Sequence, residues 1–117
     1  MELEVHNLDL AGKVREFDKG RLEIVSAGGL TVGRATYEPG WKWSEHVGAT
    51  TGESSCPVEH VVLVMSGRMM IAMDDGREIE VGPGDLCAIP PGHDAWVLGD
   101  EPYVSLHLHG AEGYADD

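Results

Sequence analysis

The sequence predicts an all-β domain, folded as a sandwich or small barrel, on three observations. Apolar residues recur with period two in many short runs, no run has the spacing of a long amphipathic helix, and Gly, Pro and Asp separate the runs where tight turns need them. Sixteen glycines and six prolines in 117 residues mean that much of the chain lies in connections between short elements.

Each segment has its reason. "MELEVHNLDL" alternates acidic and apolar residues, unlike the basic start and continuous apolar centre of a signal peptide. No apolar run approaches the roughly 20 residues of a membrane span, so a soluble, cytoplasmic chain with no membrane partner is expected. "DLAGKVREF" reads as a short helix. Strands are expected in "RLEIV", "GLTVGRATYE", "WKWSEHV", "VEHVVLVMSG", "RMMIAMD", "REIEV", "DLCAIP", "AWVL" and "YVSLHLH", with "MDDGREIEV" as the clearest hairpin. "GATTGESS", Gly48 to Ser55, is small and polar and reads as a mobile loop, suited to a lid over a barrel mouth. "GAEGYADD" reads as an acidic tail. One domain over 1–117 is expected, with a core over roughly 21–109 between a short N-terminal segment and that tail.

Charge and cysteine content exclude some classes. A net charge of -13 repels a phosphate backbone, so no nucleic-acid partner is expected. Two cysteines are too few for a disulfide framework, and Cys87 in "DLCAIP" reads as a small buried residue. His60 stands out: it heads the apolar run Val61, Val62, Leu63, Val64, Met65, where a polar group needs a reason.

"GPGDLCAIPPGHDAW" resembles the second signature motif of the cupin superfamily, with Gly84, Pro90 and Gly92 in its glycine, proline and second-glycine places. His93 stands two residues before the usual histidine position, which Ala95 holds. The first motif is partly kept: Gly40 and His46 fit its start, Gly48 takes the place of its second histidine, and counting back from Gly67 puts His60 where the glutamate ligand usually stands. The resemblance covers roughly Arg21 to His109 and implies a single-domain jelly-roll barrel, the double-stranded β-helix of small bacterial cupins. It implies His46, His60 and His93 as ligands of one divalent transition metal per chain, Fe(II) first, with Zn, Ni, Mn or Cu as alternatives. It also implies a homodimer.

Imidazole suits first-row transition metals, and three such ligands on a rigid barrel leave positions open for substrate. Glu45 and Glu59, each next to a proposed ligand, are reserve ligands on opposite strand faces. Cys56 shares parity with His60 and joins them as a further candidate. Trp41, Trp43, Trp96, Tyr37 and Met65 are expected to wall an apolar pocket for a small-molecule ligand or substrate, and Arg34 to supply a charge if it faces inward. His107 and His109 alternate with Val104, Leu106 and Leu108 and read as mainly solvated; His6 reads as a surface residue. Three function classes follow: an Fe(II) oxygenase, a metal-dependent binding or sensing module without turnover, and a metal-free sugar-type isomerase or binder.

Overall fold

The computed structural model describes residues 2–111. In chain order its strands are β1 (Lys13–Phe17), β2 (Gly20–Ala27), β3 (Leu30–Tyr37), β4 (His60–Ser66), β5 (Arg68–Met73), β6 (Glu78–Val81), β7 (Leu86–Ile89), β8 (His93–Leu98) and β9 (Tyr103–His109). Two single-turn helices, α1 (Trp43–His46) and α2 (Gly48–Thr51), lie between β3 and β4. The strands form two antiparallel sheets, ordered β1-β2-β3-β9-β4-β7 and β6-β5-β8. This is the all-β jelly roll that the sequence predicts. The acidic tail beyond residue 111 lies outside the described residues.

Turn chemistry sets much of this frame. Gly28 and Gly29 both have positive φ and close the β2–β3 hairpin, in which Ala27 pairs with Leu30. Gly67, at φ 78°, is where the chain leaves the larger sheet at β4 and enters the smaller at β5; a Cβ there would lie 2.5 Å from the Pro102 carbonyl oxygen. Inward-facing Leu22, Ala35, Val62, Val64, Ile71 and Val97 are all buried in the core between the sheets.

Three segments depart from the sequence reading. "DLAGKVREF" supplies a 3-10 turn at Leu8–Leu10 and then β1, because pairing along the whole length of β1 with β2 outweighs a weak local preference. "WKWSEHV" is extended only as far as Lys42, which bridges Trp96. The chain then turns into α1, whose Ser44 N–H donates to the Asp94 carboxylate at 3.0 Å, a cap supplied from β8. "GATTGESS" contains α2 rather than loop alone: Thr50 Oγ1 donates to the Val47 carbonyl, and left-handed Gly52 ends the turn.

Candidate metal centre

Three potential ligands converge between the sheets. His60 opens β4, His93 opens β8, and Cys56 sits in the connection before β4. Backbone bonds seat Cys56: its N–H donates to the His93 carbonyl at 2.7 Å, and its own carbonyl accepts the Gly92 N–H at 2.8 Å. Its Sγ lies 3.4 Å from His60 Nε2. One potential ligand atom from each of the three side chains lies within 4.8 Å of the others, and all three residues are buried. The ring centroids of His60 and His93 are 5.3 Å apart.

The chemistry of this set fits a metal ion. His93 Nδ1 lies 2.8 Å from the Pro90 carbonyl, which only accepts, so Nδ1 carries the proton and the Nε2 lone pair is left for a ligand. Burial depresses the His60 pKa to about 3, helped by His107 and His93. Burial lowers that of His93 as well, so both imidazoles are neutral at pH 7. Burial pushes the Cys56 thiol up to about 11. A divalent cation would reverse that cost, since a coordinating thiol loses its proton. A soft thiolate with two imidazoles suits Zn, Cu or Fe rather than Mg or Ca.

The site differs from the expected His46, His60, His93 set. His46 does not join the cluster: its Nδ1 accepts the Lys42 N–H at 2.9 Å within α1, and its Nε2 lies 3.6 Å from the Asp18 carboxylate. The helical turn that replaces the expected strand points it there. Glu45 and Glu59 are both exposed, and Glu59 lies 3.9 Å from His109. Cys56, the further candidate, is in the cluster.

His107, read as solvated, is buried on β9 with its ring centroid 5.1 Å from that of His60. Burial lowers its pKa to about 4. The reading inverted β9: Tyr103, Ser105 and His107 face inward, and Val104, Leu106 and Leu108 face outward. The sequence carries no local signal of this, because the inward residues of β9 alternate with more apolar ones that face outward.

His60, His93 and His107 line a cavity of about 40 Å³ that is otherwise largely aromatic and apolar. Tyr37 stacks on Trp41 at 3.8 Å and on Tyr103 at 5.8 Å to form one wall, and Trp43 belongs to the lining. Tyr37, Trp41 and Trp43 thus all line this cavity. Met65 does not: it has opposite parity to His60, Val62 and Val64 and is 51% exposed. Trp96 also faces outward on β8, with Lys42 Nζ 5.2 Å from its ring. Arg34 is engaged outside the cavity, with two bonds to Glu23 and one to Asp9.

The chain matches no protein-family profile and no curated protein. Solved structures share its fold. One is a protein of unknown function from Rhizobium leguminosarum bv. viciae, at 21% identity and TM-score 0.64, covering 92% of this chain and 95% of that one. Another is a sugar phosphate isomerase of the cupin superfamily from Silicibacter pomeroyi, at 22% identity and TM-score 0.62, covering 89% and 73%. The polyketide cyclase RemF from Streptomyces resistomycificus aligns at 21% identity and TM-score 0.61, covering 92% and 78%. The chain shares a cupin-like fold with these neighbours, and within it Cys56, His60 and His93 form a buried group that can hold a metal.

Proposed function

We propose that this chain is a metal-dependent cupin in which Cys56, His60 and His93 hold one divalent transition ion, and that it is an Fe(II)-dependent oxygenase acting on a small organic molecule. The observation that carries the reading is the convergence of one thiol and two neutral imidazoles beside a cavity with no Asp, Glu, Lys or Arg in its described lining. Bound Fe(II) would supply the redox chemistry of dioxygen. The residues supply the rest. Pro90 holds His93 in the tautomer that offers Nε2, and His107 packs edge-on to His60 and fixes that ring from the side of β9. The Trp41–Tyr37–Tyr103 stack gives the cavity an apolar wall, which weakens dielectric screening beside the donors.

Cavity size favours a second reading. Small-molecule sites usually enclose ~300–1,000 Å³, whereas this one encloses about 40 Å³. A metal-dependent binding or sensing module without turnover fits that volume. The names of the fold neighbours, an isomerase and a cyclase, do not choose between the two. Reconstitution with Fe(II) under anaerobic conditions, elemental analysis, and oxygen uptake with a panel of small acids, thiols and diketones would. Stoichiometric iron with substrate-dependent oxygen uptake supports the oxygenase; stoichiometric metal without uptake supports the binding module. Failure to retain any transition metal overturns both.

A further inference from the structure

Two buried donors stand in the cavity wall without a partner. Trp41 is 1% exposed and Trp43 4% exposed, and neither indole Nε1 finds a hydrogen-bond acceptor among the described residues. An indole N–H donates only, so neither can be satisfied by another donor, and leaving a buried donor unpaired is costly. Both residues line the cavity that His60, His93 and His107 also line.

The surroundings narrow what could satisfy them. The Cε3 and Cζ3 edge of Trp43 packs over Gly48, where a Cβ would lie 2.5 Å from Cζ3. In an indole the nitrogen lies on the opposite edge, so the Trp43 N–H faces away from that backbone. Trp41 has one ring face covered by Tyr37, stacked within 1° of parallel, which leaves its N–H at the ring edge. The described lining offers no carboxylate to accept from either group. A ligand group that enters the cavity can supply the acceptor.

We infer that the ligand of this cavity is a small carboxylate, held through its oxygens by the indole N–H groups of Trp41 and Trp43. The inference rests on the metal reading above for one thing, the positive charge that balances the anion, because the described lining has no Lys or Arg. The same lack argues against phosphate esters, which are bound by Arg, Lys or helix N-termini. Size points the same way: a water needs about 10–15 Å³ of such space, so the 40 Å³ present suits a group of three or four heavy atoms. Neutral walls with two unpaired donors suit the oxygens of a monoanion.

The test is a titration of isotope-labelled protein with formate and acetate, following the three indole N–H resonances by NMR, with acetamide as the neutral control. It is run on the metal-free protein and on protein loaded with diamagnetic Zn(II). In the zinc form the Trp41 and Trp43 resonances should move downfield while that of Trp96 stays, and Trp41→Phe and Trp43→Phe should each weaken formate binding at least tenfold. Acetamide should produce no comparable shift. The inference is overturned if formate binds while both resonances stay, if acetamide matches formate, or if both variants bind like wild type. If the protein takes up no zinc, the metal reading fails by itself, and the metal-free titration decides: movement of both resonances upholds the indole site and their constancy overturns it. A variant that fails to fold is replaced by this resonance readout in wild type.

Discussion

The Cys56 N–H donates to the carbonyl of His93 at 2.7 Å, an isolated antiparallel bridge that ties the connection before β4 to the first residue of β8. Two candidate ligands from separate parts of the chain are therefore held in fixed relation by backbone alone. This also shows that the Gly48–Ser55 segment ends on an anchored residue.

That anchoring makes the ligand set testable. Cys56→Ser, His60→Ala and His93→Ala should each lower metal affinity at least tenfold, whereas His46→Ala should keep wild-type stoichiometry, because His46 is engaged by Lys42 and Asp18. Elemental analysis after dialysis against a weak chelator measures this. Metal lost only in the His46 variant would refute the assignment.

Acid should destabilise the metal-free protein. The folded-state pKa values of His60 and His107, about 3 and about 4, lie below the unfolded value of roughly 6.5. The unfolded chain therefore binds more protons between those limits, and stability, complete above pH 6.5, is lost as pH falls toward them. At pH 5 each histidine contributes a loss of about 2 kcal/mol. Urea unfolding with a chelator at pH 7.5 and 5.0 should show it, and equal midpoints would contradict the burial argument.

Gly110 backs the His60 ring. It has φ 91°, and a Cβ there would collide with the Glu59 carbonyl oxygen and lie 2.8 Å from His60 Nδ1. Gly110→Ala should cost about 2–3 kcal/mol from backbone strain and contact, and should weaken metal binding by displacing His60. Thermal unfolding together with metal titration separates the two effects; wild-type values in both would show that the ring tolerates the shift.

A homodimer is expected. Leu3, Val5 and Leu10 are 93%, 82% and 83% exposed near the N-terminus, and leaving such a side chain in water forgoes about 1.5–3 kcal/mol of burial. Light scattering at micromolar concentration should give twice the chain mass, and Leu3→Asp with Val5→Asp should shift it toward monomer. A monomeric wild type would count against the expectation.

The strands and turns were legible because their causes are local. "SAGG" closes a hairpin because two adjacent glycines accept positive φ, and the short continuous apolar runs of β4 and β5 mark strands packed within the fold. His60 was legible for the same reason, as a polar residue heading an apolar strand. His46 and His107 were not. The turn that diverts His46 is capped by Asp94, 50 residues from Ser44, and such a cap leaves no mark in the sequence around either residue. His107 was hidden because parity arguments assume that the inner face is the apolar one, and on β9 the inner face lines a polar site while the leucines cover the outside. Local chemistry thus determined which segments are strands and where they turn. Long-range pairing alone decided which side chains meet, because the bonds joining Cys56 to His93 and the packing of β9 against β4 exist only once distant parts of the chain are brought together.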